Sequence, residues 1–233
     1  MPIDDGRSTP LAWTLVIPLK PLARAKSRLV APFAARVAAP LRPWLALAFA
    51  QDTVAAAAAC AAVRDVVVVT DDELAGRELG ALGARVVPDE PGTGLNAALA
   101  HGERAIRAKR PEAAVAALNA DLPALRPAEL ARVLDNAAQF PRAFLADAAG
   151  IGTTLLSARP GTELAPAFGG ASRARHTASG AVELGPGGVD SVRRDVDTWA
   201  DLRAARRLGL GPRSAELFTR SAEEFRRSAE SPA

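Results

Sequence analysis

Lys20, Lys26 and Arg28 crowd one loop of a chain that otherwise uses arginine almost throughout. With Lys109, the two loop lysines are the only lysines among 29 Lys and Arg residues. A lysine ammonium is a compact charge suited to phosphate oxygens, although the same loop would also serve as a solvated basic surface. It is not a P-loop, because no Gly-x4-Gly-Lys-Ser/Thr run occurs in the chain. A second cluster, Gly92-Thr93-Gly94-Leu95-Asn96-Ala97, fits G-x-G-x-x-A ahead of a helix. A dinucleotide-fold reading fails on context: the run follows a third strand rather than the first, and no acidic residue ends a strand about 20 residues on. Gly92 and Gly94 suit close backbone approach to a base or ribose, with Asn96 as a polar reader. A plain loop-to-helix turn is the alternative.

The third cluster is acidic. Asp121 lies in Asn-Ala-Asp-Leu-Pro, and Asp195 with Asp197 in Arg-Asp-Val-Asp-Thr. A carboxylate just past a buried strand stands at the open edge of a sheet, and two from distant parts of the chain can converge on one hard cation. Magnesium takes one or two protein carboxylates and completes its shell with phosphate and water. Helix capping is the competing role, and Asp197 or Thr198 suits a helix starting near Ala200. A hydrolytic triad of Ser172, His176 and an aspartate fails, since no G-x-S-x-G elbow surrounds Ser172. His176, four residues after Ser172, would share a helix face with it and help hold an anion. Trp13, Trp44 and Trp199 read as packing residues.

These residues need a scaffold, and 233 residues suffice for one sizeable domain. An apolar fraction of 49% with 24% charged residues is globular composition. Aromatics at 4%, with no tyrosine, exclude a surface that grips single-stranded nucleic acid by stacking. A net charge of +3 at a sequence pI near 9.7 is then read as a local phosphate-suited loop plus a basic C-terminal surface, with no nucleic-acid partner. A lone cysteine, Cys60, excludes an internal disulfide and a zinc site, and points to a reducing cytoplasm. The apolar run from Leu11 to Ile17 is too short to span a membrane and follows Asp4 and Asp5 rather than a basic segment, so neither a membrane anchor nor a signal peptide is expected.

Buried strands are predicted at Trp13–Pro18, Val63–Thr70, Ala84–Val87 and Ala113–Leu118. Helices are expected over Val37–Ala59 (broken or restarted near Pro40 and Pro43), Glu73–Leu82, Leu95–Lys109 and Pro127–Gln139. In the third of these, Leu95, Leu99, Gly102 and Ile106 share one face. Strand and helix in alternation argue for a mainly parallel sheet covered on both faces, a three-layer αβα fold whose strand ends share one edge. Further strands are expected at Ala143–Leu145, Thr154–Ser157 and Ala181–Leu184, with a last helix over Ala200–Leu208. The reading is one domain over residues 1–214 and a polar, partly disordered tail over 215–233. An alanine-rich, apolar surface would support a homodimer.

In combination the motifs go further. Pro18-x-Lys20-x5-Lys26-x-Arg28-Leu29, Gly94-Leu95-Asn96-x-Ala98-Leu99, Ala120-Asp121-Leu122-Pro123 and the acidic ends at 195–197 resemble small nucleotidyltransferases of the glycosyltransferase-A type fold. Asp147-Ala-Ala-Gly150-Ile-Gly-Thr-Thr154-Leu, Phe168-Gly-Gly-Ala-Ser172-x3-His176 and Asp195-Val-Asp197-Thr resemble the guanylyltransferases of coenzyme F-420 biosynthesis. Those enzymes activate 2-phospho-L-lactate or phosphoenolpyruvate with GTP. The resemblance runs from about Trp13 to Pro212. It implies that Asp121, Asp195 and Asp197 hold Mg2+, with Asp197 favoured over Asp195. Lys20, Lys26 and Arg28 would face the triphosphate, and Thr154, Gly169 and Ser172 would bind the phosphorylated acid. A hydroxyl, a glycine amide and a serine also make a compact anion nest on chemical grounds. The alternatives are a sister nucleotidyltransferase acting on molybdenum cofactor or sugar phosphates, and a non-catalytic GTP-binding module.

Overall fold

The computed structural model describes residues 11–24, 29, 35–90 and 92–219. Lys26 and Arg28 lie outside the described residues. Seven strands form one sheet: β1 (Trp13–Pro18), β2 (Val63–Val69), β3 (Arg85–Val87), β4 (Ala114–Leu118), β5 (Arg142–Ala146), β6 (Thr153–Ala158) and β7 (Val182–Glu183). Their order is β3-β2-β1-β4-β6-β5-β7. Every pairing is parallel except those of β6, which runs against both β4 and β5. The mainly parallel sheet expected from the sequence therefore carries one reversed strand.

Side-chain alternation puts the two faces of the sheet into two cores. Leu15, Ile17, Val66, Val68, Ala114 and Ala116 face α1 (Ala35–Ala58) and α4 (Pro127–Ala137), meeting Val54, Leu130 and Val133. Val16, Val67, Val69, Val115 and Ala117 face the opposite way onto α3 (Leu95–Arg107). Strands buried on both faces are why these segments read as continuous apolar runs. Each fully buried valine or leucine adds about 1.5–3 kcal/mol of burial free energy. Gly102 lets α3 sit close on the sheet: a Cβ there would stand 2.6 Å from Val16 Cγ1 and 2.8 Å from Val69 Cγ2.

Three expectations are corrected. Helix α1 runs unbroken through Pro40 and Pro43. Each proline removes one backbone hydrogen bond, and burial of Phe49, Ala50, Val54 and Ala57 carries the helix regardless. Trp13 is buried, but Trp44 and Trp199 are 53% and 36% exposed and are not core residues. The chain does not become a polar tail at 215, because residues 212–219 form a helix. Leu217 and Phe218 of that helix pack with Leu45, Phe49 and Leu202. The Asp52 carboxylate in α1 accepts the N–H groups of Arg213 (3.0 Å) and Ser214 (2.8 Å), capping its start. No helix among the described residues is long and apolar enough to cross a membrane.

Candidate active site

Parallel strands leave their carboxyl ends, and the loops that follow, on one edge of the sheet. At the ends of β1 and β4 that edge opens into a cavity of about 440 Å³. Because β6 is reversed, its first residues reach the same rim from the other direction. Side chains far apart in sequence thus share one wall.

The acidic side is built from two loops. After β4, Asn119 N–H bonds to the Thr154 carbonyl at 3.0 Å. Thr53 Oγ1, in α1, accepts the Leu122 N–H at 3.0 Å and lies 3.2 Å from the Ala120 carbonyl. The Asp121 carbonyl in turn accepts the Val196 N–H at 3.1 Å, which ties the second acidic loop to the first. Asp121, Asp195 and Asp197 all line the cavity. None of the three caps a helix of the described residues. Thr198 forms a capping box with Asp201 at the start of α7 (Trp199–Leu208), and α4 starts at Arg126 with no side-chain cap. Among the described residues, no three of His, Cys, Asp or Glu are grouped closely enough to hold a metal by themselves. The donor set is all oxygen on two joined loops, which suits a hard divalent cation whose shell phosphate and water complete.

The cationic side follows β1. Lys20 and Arg24 line the cavity, Arg24 closing a short 3-10 turn over Leu22–Arg24. Asp72 positions this turn: Oδ2 accepts the Leu22 N–H at 2.9 Å, while Oδ1 caps α2 (Glu73–Gly80) through the Ala75 N–H at 3.0 Å. Arg24 was not singled out from the sequence, since nothing in its neighbourhood distinguishes it from other loop arginines. Of the glycine run, only Leu95 is on the wall; Gly92 and Gly94 are set back, with φ of +54° and +117°. Asn96 is engaged at both ends of its amide, Oδ1 accepting the Phe168 N–H at 2.7 Å and Nδ2 donating to the Phe168 carbonyl at 3.1 Å.

The third side is one stretch of chain. Asp147 closes the turn between β5 and β6 by accepting the N–H groups of Ile151 (2.9 Å) and Gly152 (2.8 Å). Gly169, Gly170 and Ser172 line the cavity, Ser172 being almost fully buried at the start of α5 (Ser172–Ala178). Thr153 is on the wall, whereas Thr154 is fully buried and not on it, successive strand side chains pointing opposite ways. The Thr154 hydroxyl has no hydrogen-bond partner among the described residues.

His176 shares α5 with Ser172, as expected, and both of its ring nitrogens are engaged within the protein. It is buried, with Nε2 accepting the Ala167 N–H at 3.0 Å and Nδ1 2.9 Å from Thr153 Oγ1. An acceptor role at Nε2 leaves the proton of a neutral ring on Nδ1, which donates to Thr153. Burial, then the positive charges of Arg142 and Arg175, lower its pKa to about 4. Cys60 is also buried, which raises its thiol pKa and makes it unreactive.

Comparison with known proteins places this geometry. The MobA-like NTP transferase domain matches residues 40–182. A phosphoenolpyruvate guanylyltransferase of Streptomyces avermitilis is 72% identical over 205 residues, 88% of this chain and 93% of that protein. Another, of Thermomonospora curvata, is 61% identical over 217 residues, 93% of either chain. A crystal structure assigned to a nucleotide-diphospho-sugar transferase of Desulfovibrio desulfuricans G20 superposes with a TM-score of 0.64 at 15% identity, over 92% of this chain and 97% of that one. At that identity the likeness is one of fold, the glycosyltransferase-A type nucleotidyltransferase fold.

Proposed function

Because this chain belongs to the phosphoenolpyruvate guanylyltransferases, nucleotidyltransferases within the MobA-like NTP transferase family, we propose that it transfers GMP from GTP to the phosphate of phosphoenolpyruvate and releases pyrophosphate. The product would feed coenzyme F-420 biosynthesis. One observation carries the reading: the joined acidic loops, Lys20 with Arg24, and the Gly169–Ser172 segment all face one cavity. Each component of a phosphate-to-triphosphate reaction has a matching wall.

An oxygen of the acceptor phosphate attacks the α-phosphorus of GTP in line. That P–O bond forms as the bond to the β-phosphate oxygen breaks, and no covalent enzyme intermediate is required. Lys20 and Arg24, with Lys26 and Arg28 of the same loop, offset charge on the triphosphate. Asp121 with Asp195 or Asp197 would hold Mg2+, which supplies Lewis-acid charge to the phosphate oxygens when bound. Thr153, Gly169 and Ser172 orient the acceptor. Thr154, whose side chain turns away from this wall, yields its place beside the acceptor to Thr153. Gly92 and Gly94 shape the loop that brings Leu95 to the nucleotide side.

Pyrophosphate release with GTP and each candidate acceptor tests the reading. Release with phosphoenolpyruvate is expected. Release with 2-phospho-L-lactate instead would reassign the acceptor, and release with neither acid but with a sugar phosphate would reassign the activity.

A further inference from the structure

The segment Ala167–Gly170 carries an unusual set of hydrogen bonds. Its four consecutive carbonyls are all engaged from the protein side. Arg175 Nε donates to Ala167 O at 3.0 Å, Asn96 Nδ2 to Phe168 O at 3.1 Å, Arg175 Nη2 to Gly169 O, and the Ser172 N–H to Gly170 O at 2.9 Å. The first two N–H groups are engaged as well, Ala167 by His176 Nε2 and Phe168 by Asn96 Oδ1. The next two, of Gly169 and Gly170, have no partner among the described residues, and both glycines line the cavity. Their φ values of +96° and +45° allow successive amides to turn the same way. His176 is held by Thr153 at its other nitrogen and by edge-on contact with Phe168, ring centroids 5.1 Å apart.

We propose that Asn96 and His176 are positioning residues for the acceptor: they clamp the backbone of Ala167 and Phe168 so that carbonyls are withdrawn and the Gly169 and Gly170 amides are offered to an anion. Carbonyl oxygens facing the cavity would repel a phosphorylated carboxylic acid, and preorganised N–H groups attract one without reorganisation. Asn96 therefore acts on the acceptor subsite, although its place at the start of α3 suggests the nucleotide. The inference rests on the proposed guanylyl transfer.

Asn96→Ala and His176→Gln test it, with kinetics in both substrates and hydrogen exchange of the peptide covering residues 165–172, after thermal unfolding confirms that each variant folds. Asn96→Ala is expected to raise KM for phosphoenolpyruvate roughly tenfold while KM for GTP stays within about twofold. His176→Gln, whose amide oxygen can still accept the Ala167 N–H, has a smaller effect of the same sign. Exchange in 165–172 rises in both variants. A raised KM for GTP alone would make Asn96 a nucleotide reader, and a lower kcat with both KM values unchanged would make it merely structural; either overturns the proposal. If the wild-type chain shows no turnover with this substrate pair, the functional reading fails. In that case unchanged exchange in 165–172 overturns the clamp as well, while faster exchange sustains it.

Discussion

The carbonyl oxygen of Asp121 accepts the amide N–H of Val196 at 3.1 Å, so two acidic loops that are distant in sequence are one structural unit. Val196 is fully buried, and the bond places Asp195 and Asp197 on either side of an anchored residue at the rim of the Asp121 loop.

Asp121→Asn is nearly isosteric and leaves that backbone bond intact. It should lower pyrophosphate release by at least about 10²–10³-fold, with the melting temperature within about 2 °C of wild type. Unimpaired release by a folded variant would remove Asp121 from the reaction.

Removal of divalent cations belongs to the same unit. Turnover should vanish in excess chelator and return on adding Mg2+, and a progress curve indifferent to chelator would contradict the carboxylate assignment.

His176 predicts a pH dependence of stability. Its folded pKa, about 4, lies below its ordinary value of 6.5. Between those values the unfolded chain binds the extra proton and the folded chain does not, so stability rises with pH there. The contribution is complete above about pH 6.5 and is lost as pH falls toward 4. Urea midpoints of wild type and His176→Gln should therefore differ more at pH 7 than at pH 5. Carboxylates common to both proteins cancel in that comparison.

Gly102→Ala drives a methyl group into Val16 and Val69, with approaches of 2.6 and 2.8 Å. A destabilisation of about 1–3 kcal/mol follows from overpacking, read as a fall of several degrees in melting temperature. An unchanged melting temperature would mean that α3 can shift outward at little cost.

Asp52→Ala removes the acceptor for the Arg213 and Ser214 N–H groups. The loss of about 1–2 kcal/mol typical of a helix cap should appear as faster tryptic cleavage after Arg213. Cleavage at the wild-type rate would show that Leu217 and Phe218 hold the helix without it.

The parallel framework was legible because buried strands have no polar alternation: Val66–Val69 and Ala114–Leu118 are apolar at every position and lie between two helix layers. The direction of β6 was not, since a short apolar strand reads the same whichever way it runs. Asp121, Asp195 and Asp197 stood out as carboxylates beyond strand ends. Thr153 and Thr154 are adjacent and chemically identical, so only the pleat distinguishes the one on the wall. The contact of Asn96 was not legible either, because its hydrogen-bond partner, Phe168, lies 72 residues away. Trp44 misled for a similar reason: α1 is apolar on more than one side, so its sequence does not mark which side meets solvent.

The reversal of β6 has a consequence for how such enzymes diversify. On the proposed reading, the cation and triphosphate walls are assembled from scattered positions, 20, 24, 121, 195 and 197. The opposing wall, from Asp147 through Thr153 to Ser172, is one uninterrupted stretch because β6 sets out from the rim instead of ending there. On the proposed reading, acceptor choice is carried by a cassette. Exchanging that contiguous segment between relatives, together with Asn96, which anchors it from α3, is expected to change the acceptor and to spare the transfer machinery.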